Sequence, residues 1–268
     1  MADDKSTTSD QIGPPWTTVK IMKWTRGFFE EKDATDSPRV DAELLLSYVL
    51  DVPRIELYAA FDRPMDQKEL DAYRALIKRR VAGEPVAYLI GKRAFWSIEL
   101  ETDERALIPR PETEHVVEAA LDVLADDSEA TVIDVGTGTG AIALALADER
   151  PSIRVVATEL DADAADLARE NIEKLDMSER VEVVEGHLLE HAPEDAFPSD
   201  LVVSNPPYIA ENDIDEVMRD VHEFEPHDAL FAGEEGLDVL RELVPAAYDA
   251  LRPGGHFIFL TPNARHPL

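Results

Sequence analysis

The sequence contains no cysteine, few lysines and no long apolar run. Without cysteine, a disulfide framework, a cysteine nucleophile and a zinc site built on thiolates are all excluded. No apolar stretch reaches the roughly 18 residues that a membrane-spanning helix needs, so none is predicted. Residues 1–15 are polar and acidic and lack the apolar segment of a secretory signal, and they predict a disordered tail. We therefore expect a soluble cytoplasmic protein.

Basic residues are scarce, with 26 Lys and Arg against 57 Asp and Glu, and the formal net charge is -31. A surface of this sign repels phosphates, which argues against a nucleic acid as partner. The acids are spread along the whole chain, a pattern that favours adaptation to a salty cytoplasm over recognition of one basic partner. The seven histidines show no metal-binding spacing, so no metal site is predicted.

Hydrophobic spacing divides the chain into two domains joined by a short segment. Residues 16–84 predict a small bundle of helices, with Pro38 in the first turn of one helix and Asp66 as the N-cap of another. Residues 85–105 contain β-rich stretches around Phe95 and Ile98 and predict a linker hairpin. Residues 106–268 predict the second, larger domain.

The second domain has the alternating pattern of an α/β fold. Short apolar runs between helices are typical of a parallel sheet with helices on both faces, a Rossmann-like arrangement. The predicted strands are 131–135, 154–158, 181–184, 201–204 and 256–260, and the predicted helices are 141–149, 162–175 and 237–251.

A glycine-rich loop follows the first of these strands. Gly136, Gly138 and Gly140 alternate with Thr137 and Thr139 and lead into a helix. Glycines allow the backbone to approach a ligand closely, and the N-terminus of the helix offers free N–H groups. The loop therefore predicts a ligand site.

An acidic residue, Glu159, follows the next predicted strand, where a carboxylate can accept hydrogen bonds from ribose hydroxyls. Loop and carboxylate together indicate a cofactor that contains a nucleoside. Because Ala141 makes the loop readable as G-x-G-x-x-A, the loop alone leaves open S-adenosylmethionine or a nicotinamide dinucleotide.

The strand at 201–204 runs into Asn205-Pro206-Pro207-Tyr208, which we expect beside the glycine loop. An amide or aromatic amine is a weak nucleophile, so catalysis must hold its NH2 group in line with the methyl group and accept its hydrogens. The Asn205 side-chain oxygen and the Pro206 carbonyl are the predicted acceptors. The two prolines stiffen the loop, and Tyr208 is suited to stack on a planar group. The segment favours S-adenosylmethionine as cofactor and an amide or an adenine as methyl acceptor.

The sequence resembles the peptide chain release factor glutamine N5-methyltransferases, often called the HemK family. The resemblance extends from about residue 39 to about residue 260, and its most specific segment is Leu107-Ile-Pro-Arg-Pro-Glu-Thr-Glu114. The other segments that carry it are 39–46, 83–88, 132–145, 205–209, 225–226 and 233–238.

This resemblance implies an S-adenosylmethionine-dependent enzyme that methylates the glutamine of the Gly-Gly-Gln motif in class 1 release factors. It implies a Rossmann-like class I methyltransferase domain preceded by a helical domain that recognises the release factor. The partner is then a protein, without a membrane or direct nucleic-acid contact, and we expect a monomer.

The resemblance also assigns roles by position. The predicted cofactor-binding residues are Gly136, Thr137, Gly138, Thr139, Gly140, Glu159, Leu188 and Asn205. The predicted substrate-binding residues are Asn205, Pro206, Pro207 and Tyr208, and the predicted catalytic ones are Asn205, Pro206 and Tyr208. Arg110, Pro111 and Thr113 are expected to line the cofactor mouth.

Two features depart from the family. His187 stands where the family has an aspartate, so either its neutral ring nitrogen accepts a bond from the adenine amine or its side chain points to solvent. After Leu260 the family continues into a C-terminal hairpin, and we expect that hairpin to be missing. Two acids after the Tyr208 loop, Glu223 and Glu225, are expected to lie in solvent.

Three other functions stay open. An adenine-N6 nucleic-acid methyltransferase shares the amine chemistry but needs a basic face, which the sequence does not offer. A non-catalytic cofactor-binding paralogue would be compatible with a missing hairpin. A nicotinamide oxidoreductase would leave the segment from Asn205 to Tyr208 unexplained.

Overall fold

The computed structural model of the chain describes residues 15–261, which divide into two compact units between Ile90 and Gly91. The predicted tail lies outside the described residues except for Pro15. The prediction that the C-terminal hairpin is missing refers to residues after Thr261, which also lie outside the described residues. Among the residues described, no helix is long and apolar enough to cross a membrane.

The first unit is helical, as predicted. Its helices are α1 (Thr18–Lys32), α2 (Pro38–Leu50), α3 (Arg54–Ala59), α4 (Gln67–Val81) and α5 (Val86–Ile90). Fully buried apolar side chains from α1, α2, α3 and α4 form its core, among them Phe29, Leu45, Leu46, Leu57 and Tyr73.

Helix α4 begins at a capping box. The Asp66 carboxylate accepts from the Glu69 N–H at 2.9 Å, and the Glu69 carboxylate accepts from the Asp66 N–H at 2.9 Å. Two N–H groups that the helix leaves unpaired are satisfied in this way. The predicted N-cap is confirmed, and α2 begins at Pro38 as predicted.

A buried ion pair joins α2 to α4. Arg80 donates from Nε to Asp41 Oδ2 at 2.8 Å and from Nη1 to the Gly83 carbonyl at 3.3 Å. Arg80 is 5% and Asp41 8% exposed, so each charge offsets part of the cost of burying the other. Two of the segments that carry the family resemblance, 39–46 and 83–88, therefore meet in the interior of this unit.

The predicted linker, residues 85–105, is only partly a hairpin. Val86–Ile90 is helix α5 in the first unit, and its first turn is closed by the Leu89 N–H, which donates to the Pro85 carbonyl at 3.0 Å. Pro85 favours this helical start because its φ is fixed and it needs no N–H partner. The hairpin itself consists of β1 (Lys92–Phe95) and β2 (Ile98–Glu101) and belongs to the second unit.

The second unit is built on a parallel sheet, and the predicted α/β class is confirmed. Within the described residues this sheet has five strands in the order β5-β4-β3-β6-β7, all parallel to their neighbours. They are β3 (Thr131–Val135), β4 (Arg154–Glu159), β5 (Val181–Glu185), β6 (Ser199–Ser204) and β7 (Leu251–Phe259). The helices are α6 (Glu114–Val123), α7 (Ala141–Glu149), α8 (Ala162–Lys174), α9 (Arg219–Phe224) and α10 (Asp238–Ala250).

Both faces of this sheet are buried, which explains why its strands are continuous apolar runs. Along β3, Val132 packs into the core that contains α6 and α7, whereas Ile133 packs into the core that contains Leu243 and Ala247 of α10. Successive residues of a strand point to opposite faces, so a strand covered on both sides needs apolar residues at every position.

In the second unit, helices α6 and α9 and the start of strand β7 differ from the sequence-based expectation. Helix α6 was not predicted, although Val116, Val117 and Ala120 form a buried face at helical spacing. Strand β7 begins at Leu251 and not at His256, because its pairing with β6 is interrupted by a bulge between the two positions.

The Asp41–Arg80 pair yields a prediction about the stability of the first unit. Asp41→Asn removes the carboxylate that pairs with the buried Arg80 guanidinium, so the free energy of unfolding is expected to fall by about 3–5 kcal/mol. Urea unfolding followed by tryptophan fluorescence checks this, since Trp16 and Trp24 lie in this unit. Asp71→Asn is the control, because Asp71 pairs with Arg74 at the surface and its loss should cost below about 1 kcal/mol. Equal losses in the two variants would contradict the assignment.

Candidate functional site

The glycine loop has a backbone that only glycine adopts readily. Gly136, Gly138 and Gly140 have φ angles of 71°, 55° and 83°, in the left-handed region. The N–H groups of Gly136 and Thr137 donate to the Thr158 carbonyl at 2.9 and 3.1 Å. The loop between β3 and α7 is thus tied to the neighbouring strand β4.

The Glu159 carboxylate at the end of β4 is held by backbone groups. Its Oε2 accepts from the Gly138 N–H at 2.8 Å, and its Oε1 accepts from Leu160 and Asp161 at 2.8 and 3.2 Å. A carboxylate offers roughly four acceptor positions. Three are occupied, so Oε2 retains one for a hydroxyl of a ligand.

A buried acid, Asp134, lies behind the loop. Its Oδ2 accepts from the Thr137 hydroxyl at 2.6 Å and from the Ala143 N–H at 3.2 Å, while its buried Oδ1 has no partner in the described chain. Burial raises the pKa of Asp134 to about 7, and the negative charge of Glu159 acts in the same direction. Asp134 was not predicted as a site residue, although it directly precedes Val135 and the glycine loop.

The carboxyl end of β6 brings Asn205 to the same edge of the sheet. The Ser204 hydroxyl donates to the Val135 carbonyl at 2.7 Å, which ties β6 to β3. The Asn205 amide donates from Nδ2 to the Thr113 hydroxyl oxygen at 3.2 Å. Its Oδ1 is buried and has no partner in the described chain. A buried acceptor without a donor is costly, so a ligand that donates a hydrogen bond fits here.

The two prolines after Asn205 leave a second acceptor open. Pro206 is buried and Pro207 half-buried, and neither has an N–H. Within residues 15–261, no group donates a hydrogen bond to the Pro206 carbonyl. The loop therefore presents acceptors and no competing backbone donors at these positions.

A second segment, residues 230–236, supports the loop from behind. The Ile209 N–H donates to the Leu230 carbonyl at 3.0 Å, and the Ile209 carbonyl accepts from Ala232 at 2.9 Å. Gly236 has a φ of 69°, and a side chain there would overlap with the Tyr208 carbonyl oxygen. This contact explains why glycine stands at position 236, within the segment 233–238 that carries part of the family resemblance.

The expectation that Glu225 lies in solvent is wrong. The Glu225 side chain is 1% exposed and accepts from Arg110 Nη2 at 2.5 Å and from the Ile108 N–H at 3.0 Å. Burial raises the pKa of its carboxyl, and the charge of Arg110 opposes that rise. Glu225 thereby anchors the segment from Ile108 to Arg110, whereas Glu223 is exposed and pairs with Arg219, as expected of a solvated acid.

These elements surround a cavity of about 420 Å³, within the range of small-molecule sites. The predicted site residues that line it are Gly136, Thr137, Gly138, Thr139, Glu159, Leu188, Asn205, Pro206 and Pro207. Arg110 and Thr113 line it as well. Its glycine cradle, the Glu159 carboxylate and the unpartnered Asn205 oxygen fit a nucleoside cofactor that carries a reactive methyl group.

Three residues expected at the site are not part of the cavity lining. Gly140 caps α7 with a left-handed φ of 83°, which favours glycine, and a side chain there would lie 3.1 Å from the end of the Leu144 side chain. Tyr208 is half-buried, and burial raises the pKa of its hydroxyl while the charge of Arg110 opposes this. Pro111 opens the short 3-10 turn that precedes α6.

His187 and Leu188 lie on the side of the cavity near α10. His187 lines the cavity, and its Nε2 lies 2.9 Å from Glu242 Oε2. Leu188 has a φ of 49°, unusual for a residue with a side chain, and this turn directs it into the cavity wall. A contact of either residue with an adenine stays a prediction.

Comparison with known proteins covers both units. The family model described as PrmC N-terminal domain matches residues 20–91, and the model described as Methyltransferase small domain matches residues 115–224. The release factor glutamine methyltransferase of Rhodopirellula baltica is 41% identical over 249 residues, 91% of this chain and 83% of that protein. Its counterpart in Chlorobaculum tepidum is 43% identical over 251 residues, 91% of this chain and 85% of that protein. The one in Xylella fastidiosa (strain Temecula1) is 45% identical over 220 residues, 82% and 78% of the two chains.

The contact between Gly236 and the Tyr208 loop predicts an asymmetric effect of two glycine substitutions. Gly91→Ala introduces a side chain at a φ of 75° in open space and should cost about 1–2 kcal/mol of unfolding free energy. Gly236→Ala carries the same backbone cost and also overlaps with the loop, which should add about 1–3 kcal/mol. Urea unfolding of both variants measures the difference. If the two variants lose the same amount, Gly236 does not support the loop.

The buried Asp134 carboxyl predicts a pH-dependent effect on stability. Its pKa is about 7 in the folded chain and about 3.9 in an unfolded one, so the folded state binds the proton more tightly. Ionisation of Asp134 therefore lowers stability as the pH rises from about 4 to about 7, by up to about 4 kcal/mol. Asp134→Asn should gain stability over the wild type at pH 8, and the gain should shrink as the pH falls below 6. Asp122→Asn removes one exposed charge and controls for net charge; a gain that does not vary with pH would refute the assignment.

Proposed function

Because the chain belongs to the family of release factor glutamine methyltransferases, we propose that it methylates a glutamine of a peptide chain release factor. The methyl donor is S-adenosylmethionine. The acceptor is the side-chain amide nitrogen of the glutamine in the Gly-Gly-Gln motif of class 1 release factors. The observation that carries the proposal is the buried Asn205 side-chain oxygen, which has no hydrogen-bond donor in the described chain.

Different residues of the cavity would bind different parts of the cofactor. The loop from Gly136 to Thr139 would hold its methionine part, and the remaining acceptor position on Glu159 would take a ribose hydroxyl. Leu188 would pack on the adenine. When bound, the cofactor supplies an electrophilic methyl group on a positively charged sulfur.

The amide nitrogen needs help to act as a nucleophile because its lone pair is delocalised into the carbonyl. The Asn205 oxygen and the Pro206 carbonyl accept its two hydrogens, which holds the nitrogen in one position and raises its electron density. Acceptors that are already fixed in place need no reorganisation during the reaction. After methylation the nitrogen loses one proton to water, so no side chain is required as a base.

The helical unit is proposed to recognise the release factor. It exposes several large apolar side chains, although the chain as a whole is strongly acidic: Val40, Tyr48, Ile55, Tyr58 and Phe61. Exposed apolar and aromatic side chains are typical of protein contacts, whereas a polyanion would need clustered Lys and Arg. We further propose that the enzyme works as a monomer in the cytoplasm, which size-exclusion chromatography can test for the oligomeric state.

The role of Asn205 predicts a loss of turnover without a loss of cofactor binding. Asn205→Ala removes an acceptor that matters most in the transition state, so kcat for methylation of a release factor should fall about 100-fold or more. Calorimetry should still give a measurable Kd for S-adenosylhomocysteine. Near-normal turnover in the variant would refute the role.

The substrate is tested by mass spectrometry of a class 1 release factor after incubation with the enzyme and S-adenosylmethionine. The mass of one methylene should be gained on the glutamine of the Gly-Gly-Gln motif. Reactions should be run at low and at high salt, because a net charge of -31 is compatible with an enzyme that needs screening. An unmodified glutamine, together with methylated adenine in a parallel DNA reaction, would replace the proposal by its nucleic-acid alternative.

A further inference from the structure

The amide of Asn205 has two possible orientations, and only one suits the reaction. The oxygen and the NH2 group of an asparagine are nearly equal in size, so packing alone does not distinguish them. With Oδ1 toward the cavity, Asn205 accepts a hydrogen from the substrate NH2. With Nδ2 in that place, two NH2 groups would face each other without an acceptor. A second group must therefore select the orientation.

Thr113 is the residue in position to do so. Its hydroxyl oxygen lies 3.2 Å from Asn205 Nδ2, and the residue is 4% exposed. Its backbone is fixed, because Thr113 closes the 3-10 turn Pro111–Thr113 and its N–H donates to the Arg110 carbonyl at 3.1 Å. Arg110 is in turn held by the buried Glu225 carboxylate. The hydroxyl thus occupies a defined place beside the amide.

Resting on the proposed function, we propose that Thr113 is a positioning residue that orients the Asn205 amide for the glutamine substrate. Its hydroxyl oxygen accepts from Nδ2 and thereby leaves Oδ1, which has no partner in the described chain, to accept from the substrate. A hydroxyl can also donate, but the reversed amide would bury the NH2 group where Oδ1 now has no partner. An unpaired buried N–H is rarer in proteins than an under-satisfied oxygen, which favours the orientation seen here.

Two substitutions separate the hydroxyl of Thr113 from its shape. Thr113→Val keeps the branched side chain but removes the oxygen that accepts from Asn205 Nδ2. Thr113→Ser keeps the hydroxyl and loses only a methyl group. A purely structural role of the threonine would favour valine, whereas an orienting role favours serine.

The orientation can be measured without any activity. The chain has only four asparagines, so labelling with 15N-asparagine gives few side-chain amide signals, and Asn205→Ala identifies the pair of interest. In the wild type and in Thr113→Ser, one Asn205 amide proton should be shifted downfield, as expected of a hydrogen bond. In Thr113→Val this shift should be lost. An unchanged Asn205 pair in Thr113→Val would overturn the proposal.

Turnover then tests whether the orientation matters. Thr113→Val should lower kcat for the release factor tenfold or more, with the Kd for S-adenosylhomocysteine changed less than about twofold, and Thr113→Ser should stay near the wild type. Loss of the NMR shift with unchanged kcat would overturn the link to catalysis. A wild-type enzyme that leaves the release factor unmodified would refute the proposed function, while the NMR result still decides the contact between Thr113 and Asn205.

Discussion

The adjacency of β4, β3 and β6 is the constraint on which the rest of the site depends. Because neighbouring parallel strands end at the same edge of a sheet, the residues that follow these strands lie close together. The Thr158 carbonyl and the Ser204 hydroxyl tie the three strand ends to one another. A rigid edge of this kind can hold acceptors in place that find no partner until a ligand arrives.

The parts of the site that sequence reasoning predicted are those that follow directly from a strand. Glu159 ends β4 and Asn205 follows β6, and both could be located because buried parallel strands are recognisable as short apolar runs. The glycine loop was recognisable for a related reason, since alternating glycines before a helix have few other uses. The class of fold followed from the same runs.

Long-range burial was not predictable in the same way. Glu225 and Glu223 are two residues apart in an acidic chain, and nothing local distinguishes the acid that is buried from the one that is exposed. The difference arises from Arg110 and Ile108, more than a hundred residues away. Spacing also does not give the shape of a cavity: Gly140 and Tyr208, which were predicted to bind cofactor and substrate, do not line it.

Because Gly236 packs closely against the Tyr208 carbonyl, the loop at residues 205–210 and the segment 230–236 depend on each other's shape. A change in the backbone of either segment leaves the other with an overlap or a gap. Selection for a new methyl acceptor would therefore have to alter two stretches of the gene at once. To change the methyl acceptor, residues 205–210 and 230–236 should accordingly be transplanted together from the same donor protein. A transplanted loop 205–210 alone would pack against a segment 230–236 that does not fit it.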